Sequence, residues 1–161
     1  MRQGAERLEA LRRLMVLESA PERDYDEITR LVVETLDVPI AMVNLLDAQR
    51  DWFKSCVGFP LRESPAATSF CEAIFETADD LIVVPDTRLD ARFASHPFVV
   101  GAPGVRFYTA ARLAVDGQTV GTLCAYDLRP REIDPAQVAR LQVLANAVVA
   151  LLQRRVDRAA G

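Results

Sequence analysis

One dipeptide, Asp116-Gly117, constrains the fold of this chain more than any other feature. It separates two runs of mostly apolar residues, residues 105–115 and Gln118–Asp127. Aspartate followed by glycine favours a two-residue turn with positive φ at both positions, and such turns join antiparallel strands. The sequence therefore predicts a β-hairpin, with a register that pairs residues regularly outward from the turn until Phe107 lies opposite Tyr126.

In this register the hairpin presents its side chains alternately to two faces of the sheet. The face expected to be apolar consists of Val105, Phe107, Leu113, Val115, Val120, Cys124 and Tyr126. The opposite face, which is small or polar in its middle, consists of Arg106, Tyr108, Arg112, Gly121 and Leu123. We expect a helix layer on the first face and the wall of a pocket on the second, although either face can accept helices.

Helical periodicity predicts two helices before the hairpin and one after it. The first spans residues 5–17, with leucines on one side and a polar side that includes Arg7. The second begins at a capping box of Asp24 and Glu27, and the third at a capping box of Asp134 and Gln137. The third helix continues to about residue 157 and is apolar on two sides, so it has both its own sheet and a partner to cover.

Apolar runs predict three further strands, at residues 40–46, 52–57 and 81–84. Residues 58–69 are predicted to be a loop, and Ser69 to cap a short helix that follows it. Residues 86–104 form a long connection, which in a compact domain is usually functional or disordered. Because it carries Phe93 and Phe98, we expect this connection to be a packed lid.

Together these elements predict an α+β fold in a single domain that spans residues 1–161. Sequential hairpins favour a central antiparallel sheet, with the N- and C-terminal helices on one face and a lidded pocket on the other. Within the domain, the N-terminal helix is expected in residues 1–20, the core in residues 24–152 and the C-terminal helix in residues 134–157.

Composition argues against several classes of function. A net charge of −4 and a pI of about 5.1 disfavour nucleic acid as a partner. The longest apolar run, residues 143–152, is far shorter than the roughly 20 residues of a membrane span, so we expect a cytoplasmic protein without a membrane partner. The three cysteines lack close spacing and fit free thiols. Neither a catalytic triad nor metal-spaced ligands are found, so no catalytic or metal-binding residue is predicted.

An ordered set of short motifs resembles the GAF domain, a fold found in bacterial sensor kinases and cyclic-dinucleotide enzymes. The resemblance covers approximately residues 24–152 and is carried by Val38-Pro39-Ile40-Ala41, Asp47 with Arg50, Trp52, Phe53 and Lys54, Ser69-Phe70-Cys71, Val84-Pro85-Asp86, Asp90, Arg92, Phe93 and Pro97, Arg106-Phe107-Tyr108, and Gly121 to Asp127. It implies a regulatory domain that senses a small-molecule ligand or homodimerises, and that is usually attached to an output domain. The outputs implied are a histidine kinase, or a diguanylate cyclase or phosphodiesterase.

GAF domains bind cyclic nucleotides, bilins, haem or small metabolites, and the residues test these ligands separately. The Asn-Lys…Phe…Asp-Glu signature of the cyclic-nucleotide members is absent. Bilin attachment pairs a cysteine with a nearby histidine, but the single histidine, His96, lies far downstream of Cys71. Haem would have only His96 as an axial ligand, and its place before Pro97 favours a capping role. We therefore expect no cofactor.

The candidate ligand-binding residues belong to the lidded face and its surroundings. They are Phe70, Cys71, Asp86, Phe93, Phe98, Arg106 and Tyr108. Arg106 and Tyr108 either bind a carboxylate or phosphate, or Arg106 pairs with Asp86 or Asp90 and fixes the lid. Asp86 either lines the mouth of the pocket or caps a turn with surface ion pairs.

The resemblance also leaves three functional hypotheses open. The leading one is a dimeric sensory module that joins through its first and last helices. A second is a thiol-dependent reductase of the free-methionine sulfoxide type, in which the helix N-terminus activates Cys71. This second hypothesis lacks a cysteine near residues 106–108, and packed free thiols are the alternative. A third is a structural dimerisation module with a collapsed pocket.

Overall fold

The computed structural model describes the backbone of residues 1–160 and the side chains of residues 1–158. The helices are α1 (Ala5–Arg13), α2 (Arg23–Leu36), α3 (Pro97–Val100) and α4 (Pro135–Ala160). The strands are β1 (Ile40–Leu46), β2 (Arg50–Val57), β3 (Glu63–Pro65), β4 (Leu81–Val84), β5 (Phe107–Val115) and β6 (Gln118–Asp127). Three 3₁₀ segments span Ala66–Thr68, Phe70–Glu76 and Thr87–Leu89.

The strands form one antiparallel sheet in the order β3-β2-β1-β6-β5-β4, which confirms the predicted α+β fold. Helices α1, α2 and α4 cover one face of this sheet, and their apolar side chains form the larger of two cores. The 3₁₀ segment Phe70–Glu76 and residues 86–104, here called the lid, cover the other face and enclose the smaller core. Both faces of the central strands are therefore buried.

The central hairpin has the predicted turn but not the predicted register. Asp116 and Gly117 have φ values of 53° and 74°, as a two-residue turn requires. A β-bulge then leaves Val120 without a partner, so that Phe107 lies opposite Asp127 rather than opposite Tyr126. A period-two pattern does not reveal an extra residue of this kind, and one extra residue shifts every later pair.

The bulge also moves side chains between the two faces. Cys124 and Tyr126, predicted to share the helix-covered face with Phe107, belong instead to the lid-covered face with Tyr108. Leu123 moves in the opposite direction, into the core under the helices. The predicted composition of both faces is therefore wrong beyond the bulge, and the lid-covered face is more aromatic than expected.

Helix α1 is shorter than predicted and ends at Arg13 instead of residue 17. Met15 and Glu18 have positive φ values of 50° and 64°, which a continuing helix cannot contain. Arg7, predicted on the polar side of this helix, is buried, with only 3% of the residue exposed. The leucines of α1 are buried as well, so its remaining outer surface is charged.

The two predicted capping boxes have different outcomes. Asp134 and Gln137 exchange hydrogen bonds, from Asp134 N to Gln137 Oε1 at 2.9 Å and from Gln137 N to Asp134 Oδ1 at 2.8 Å. Helix α2 instead begins at Arg23, one residue before the predicted cap Asp24, and has no side-chain cap at Glu22. The capping box at Asp134 and Gln137 is therefore confirmed, and the one predicted at Asp24 and Glu27 is wrong.

The segment predicted as a loop, residues 58–69, contains a short edge strand. Strand β3 pairs with the start of β2 and carries Pro65, which an edge strand tolerates because its N–H is not needed for pairing. Ser69 does not cap the following segment; its hydroxyl donates to the carboxylate of Asp51. The predicted short α-helix is a 3₁₀ helix, Phe70–Glu76.

Helix α4 packs on β5 and α2 through one row of residues. Leu141, Ala145, Val148 and Leu152 form this row, and each is at most 1% exposed. By length and composition alone the stretch Pro135–Arg158 could also cross a membrane. A core helix of a soluble domain meets the same criterion, so this feature is weak evidence for a membrane.

A buried lysine ties the segment between α1 and α2 to the sheet. Lys54 on β2 has a fully buried side chain, and its Nζ donates to Ser19 Oγ at 2.8 Å and to Ala20 O at 2.6 Å. Its counter-ion is Glu22, at 2.6 Å, which also pairs with Arg155 of α4 at 2.6 Å. The hydrogen bond from Lys54 is the main reason that the pKa of Glu22 lies below its ordinary value.

Replacing this carboxylate should change how stability depends on pH. A carboxylate with a lowered folded-state pKa stabilises the fold above its ordinary pKa of 4.5, and this contribution is lost as the pH falls through the folded-state value. We therefore expect Glu22→Gln to have a lower urea midpoint than the wild type at pH 7. The difference between the two midpoints should be smaller near pH 3. Glu34→Gln, at an exposed ion pair on α2, is the control. An equal gap at both pH values would contradict the assignment.

Candidate functional site

The lid-covered face is a closed aromatic cluster centred on Phe70. Ring centroids lie 5.3 Å away in Phe93, 5.4 Å away in Tyr108 and 5.5 Å away in Tyr126. The imidazole of His96 stacks on the other side at 4.1 Å. Such contacts contribute beyond simple burial of area, because the rings adopt offset and edge arrangements. The 3₁₀ segment supplies Phe70, the lid supplies Phe93 and His96, and the hairpin supplies both tyrosines.

The sulfur of Cys71 lies within this cluster and is fully buried. The hydroxyl of Tyr108 donates to it at 3.0 Å, and the hydroxyl of Thr122 lies at the same distance. Burial opposes ionisation of Cys71, but hydrogen bonds from Cys124, Thr122 and Tyr108 lower its pKa. Burial raises the pKa of Cys124 well above its ordinary value. Cys71 is therefore the more acidic thiol of a sequestered pair.

The lid is attached to the sheet mainly through backbone carbonyls. Thr87 Oγ1 donates to Val105 O at 2.7 Å at its beginning. Near its end, Arg106 Nη1 donates to Val99 O at 2.9 Å, and Val99 is buried. Arg106 thus fixes the lid, as one of the two hypotheses for this residue proposed, although its acceptor is a carbonyl and not Asp86 or Asp90.

Two predicted site residues lie at the margin of the cluster. Asp86 caps the 3₁₀ turn after β4 by accepting from Arg88 N at 3.1 Å, and it pairs with the Arg88 side chain. That side chain lowers the pKa of Asp86, as expected for a capped turn with a surface ion pair. Phe98 is 38% exposed and contacts His96, so the lid packs through Phe93 rather than through both phenylalanines.

His96 has the capping role that its place before a proline predicted. Its Nδ1 accepts from Phe98 N at 3.0 Å at the start of α3. Its Nε2 lies 3.1 Å from Thr68 O, and a carbonyl can only accept, so Nε2 carries the proton in this arrangement. Both ring nitrogens are thus engaged within the protein.

A buried polar network behind the cluster was missed in the sequence. Asp51 lies in β2 and is 3% exposed. Its carboxylate accepts from Asn44 Nδ2 at 2.9 Å and from Arg2 Nη2 at 2.9 Å, as well as from Ser69. Burial raises the pKa of Asp51, against the effect of these donors. The only sequence signal was Asn44, an amide within the apolar run of β1.

Three surface cavities lie outside the aromatic cluster, and Asp86 is the predicted site residue that lines one of them. One of about 550 Å³ lies between α1 and the turn of the central hairpin. Another of about 500 Å³ lies beside the lid and is lined by Asp86 and Leu89, and a cleft of about 270 Å³ separates α2 from α4. The aromatic cluster itself is filled by its own side chains, with Tyr108 fully buried.

Comparison with known proteins gives the class of this domain. The family model described as the GAF domain matches residues 21–152, so the chain belongs to the GAF family. The predicted resemblance is therefore confirmed. GAF domains are generally regulatory and soluble, which agrees with a sensory role. Within the family, the chain is 36% identical over 139 residues to a cyclic di-GMP phosphodiesterase of Pseudomonas aeruginosa. The match covers 85% of this chain but only 24% of that relative.

Solved structures share the fold at lower identity. The chromophore-binding domain of the bacteriophytochrome RpBphP3 from R. palustris has a TM-score of 0.68 at 14% identity, covering 93% of this chain and 61% of that one. A type II free methionine-R-sulfoxide reductase from Thermoplasma acidophilum has a TM-score of 0.63 at 12% identity, covering 80% of this chain and 89% of that one. Proteins of different function thus share this architecture, so the fold alone does not assign a ligand.

Proposed function

We propose that this domain is a cytoplasmic regulatory module that homodimerises through α4 and α2 and passes a small-molecule signal to an output domain. The observation that carries the proposal is the outer side of α4, which is mostly apolar and uncovered. Val143, at its centre, is 65% exposed, whereas the row of residues on the opposite side of the same helix belongs to the core. An apolar helix face of this kind is typical of a contact with another helix.

The proposed interface is continuous across two helices. Beside Val143, the outer side of α4 carries the exposed alanines Ala136, Ala139, Ala147 and Ala150, interrupted by the exposed residues Arg140 and Asn146. The cleft between the helices is lined by Leu31 and Thr35 of α2 and by Val143 and Leu144 of α4. Small residues at helical spacing allow a second helix to approach closely, and the symmetric partner of such a face is the same face of another copy.

The interface expected from the sequence used the first and last helices, and the proposal now replaces α1 by α2. In α1 the apolar residues Leu8, Leu11 and Leu14 are all buried within the domain. Apart from Ala5, the exposed residues of α1 are charged, among them Glu9 and Arg13, which pair with each other at 3.0 Å. Helix α1 therefore offers little apolar surface to a second copy.

The change Val143→Glu tests the dimer. A charge in the centre of an apolar helix interface must be desolvated without a partner, which costs several kcal/mol and weakens association by at least about a hundredfold. We expect sedimentation velocity at micromolar concentration to give a dimer for the wild type and a monomer for this variant. Leu89→Glu, at a residue that is 86% exposed on the lid, is the matched control and should stay dimeric. A monomeric wild type would overturn the proposal.

The lid offers a route by which a ligand could shift the population of states. Arg106, which holds the end of the lid, directly precedes β5, and α4 packs on the opposite face of the same strand. A ligand that stabilises an open lid would separate Phe93 from Phe70 and alter the support of α4. The proposed recipient is an output domain such as the phosphodiesterase unit of the Pseudomonas relative, or a cyclase or histidine kinase.

The thiol-reductase alternative has less support. The position of Cys124 supplies the second thiol that the sequence lacked near residues 106–108, but Cys71 and Cys124 are both fully buried. A reductase needs a thiolate that its substrate and reductant can reach. Dithiothreitol-dependent turnover of free methionine sulfoxide that disappears in Cys71→Ser would favour this alternative over the regulatory role.

A further inference from the structure

We propose that the cavity between α1 and the turn of the central hairpin is a binding site for a small phosphorylated metabolite, with Arg7 and Arg112 as its phosphate-binding residues. This site lies apart from the aromatic cluster and from the proposed dimer interface. Its volume of about 550 Å³ lies within the range of small-molecule sites. Residues from α1, the end of the 3₁₀ segment, β5 and β6 line it.

The first observation is a buried arginine without a carboxylate partner. Arg7 is 3% exposed, and its Nε and Nη2 donate to the carbonyl of Arg2 at 2.9 and 2.6 Å. Its Nη1 lies 3.3 Å from Thr119 O, and its guanidinium lies 5.1 Å from the ring of Phe75. Within residues 1–158, it makes no ion pair shorter than 4.0 Å. A buried cation is normally paired, so this one lacks the anion that would compensate its burial.

The second observation is another arginine that converges on the same residue. Arg112 Nη1 donates to Thr119 Oγ1 at 2.7 Å, while Arg7 contacts the carbonyl of Thr119. Its Nη2 is fixed by the carbonyls of Thr77 and Asp79 at 2.8 and 2.7 Å. These neutral acceptors hold the guanidinium in place without neutralising it. The cavity therefore has two positioned guanidinium groups, and the side-chain amide of Gln118 lies beside them.

The acidic groups nearby leave this pair of arginines undercompensated. Glu72 and Asp51 pair with Arg2, at 2.7 and 2.9 Å, and not with Arg7. Asp80 pairs with Arg112 at 3.2 Å but is 76% exposed, so solvent weakens the interaction.

One carboxylate on the rim opposes anion binding, whereas the lowered pKa of Arg7 is consistent with a missing anion. Glu6 lies on the rim and accepts from Gln118 at 3.4 Å. Burial, together with the charge of Arg2, lowers the pKa of Arg7 to about 10, and the more distant Asp47 and Glu72 only partly offset this. A bound anion would raise the pKa of Arg7 back towards its ordinary value.

Phosphate fits this arrangement better than a simple carboxylate does. Its oxygens point in several directions and can accept from two guanidinium groups on different strands and helices, and its double charge offsets both. The remaining volume, beside the ring of Phe75 and the amide of Gln118, leaves room for an organic part. Because the site joins α1 to the hairpin, occupancy should stabilise the docking of the N-terminal helix.

The test is a titration with inorganic phosphate that is monitored by two-dimensional NMR. The ionic strength is held constant, and chloride serves as the reference anion. We expect saturable shifts of the amide resonances of Gln118 and Thr119 at millimolar phosphate, and binding about tenfold weaker in Arg112→Gln and in Arg7→Gln. Arg13→Gln, an exposed position of the same helix, is the matched control and should bind like the wild type.

The outcomes are distinct. Saturable binding that either arginine variant weakens, and that the control retains, supports the site. If Arg7→Gln does not fold, Arg112→Gln and the location of the shifted resonances decide alone. The proposal is overturned if phosphate causes no more shift than chloride, if the shifts lie elsewhere, or if folded Arg112→Gln binds phosphate as tightly as the wild type does.

Discussion

Replacing Gly121 with alanine should destabilise the domain by about 3 kcal/mol, because no space exists for even one methyl group. A Cβ at this position would lie 2.2 Å from the carbonyl oxygen of Asn44 on β1. Strand β1 lies in the middle of the sheet between β2 and β6, so its backbone cannot move away without disturbing both neighbours. Urea unfolding followed by circular dichroism at pH 7 measures the effect.

The matched control is Gly117→Ala in the hairpin turn. Gly117 has a φ of 74° but nothing within 4 Å of a built Cβ, so only backbone strain of about 1 kcal/mol is expected. The two substitutions add the same atom to the same hairpin. Equal losses of stability at the two positions would contradict the close approach of β6 to β1 at Gly121.

Replacing Phe70 with alanine should cost about 4 kcal/mol and loosen the lid. The ring is 5% exposed and contacts residues from the lid and from both hairpin strands, so its removal leaves a cavity that none of them can fill alone. We expect faster amide hydrogen exchange in α3 and around Phe93, together with a lower urea midpoint. Hydrogen exchange reports the local opening of the lid, and the urea midpoint reports the stability of the whole domain.

Phe98→Ala provides the control within the same lid. Phe98 is 38% exposed and contacts mainly His96, so its truncation should cost no more than about 1 kcal/mol and leave exchange at Phe93 unchanged. A loss as large as that of Phe70→Ala would mean that the lid is held through its outer surface. The proposed route from lid to β5 would then need revision.

Local sequence patterns were sufficient to predict most helices and strands of the fold, but not the register in which the strands pair. The Asp116-Gly117 turn and the Asp134 cap are specified by neighbouring residues, and the structure contains both. The bulge at Val120 depends on how β6 meets β1 and β5, which no local period encodes. The misplacement of Cys124 and Tyr126 follows from that one residue.

The candidate site was predictable where burial alone decided the outcome. Phe70, Cys71, Phe93 and Tyr108 lie together as expected, since the hydrophobic effect brings such side chains under a lid. The burial of charged residues was harder to predict. Arg7 occupies a position on the side of its helix that was expected to be polar, and yet it is buried. Its acceptors are the backbone carbonyls of Arg2, nearby in the chain, and of Thr119 on β6, and helical periodicity predicts neither contact. Binding at the lid-covered face remains a prediction.

The bulge at Val120 has an evolutionary consequence. Beyond it, a single inserted or deleted residue in β6 would exchange the side chains of the two faces without altering any other position in the chain. Such a change would replace Tyr126 and the thiol of Cys124 beneath the lid with aliphatic groups in one genetic event. Related domains with nearly the same composition can therefore diverge in ligand chemistry through a one-residue shift in the register of β6. Sequence alignments of this hairpin should therefore be checked for such shifts as well as for residue identity.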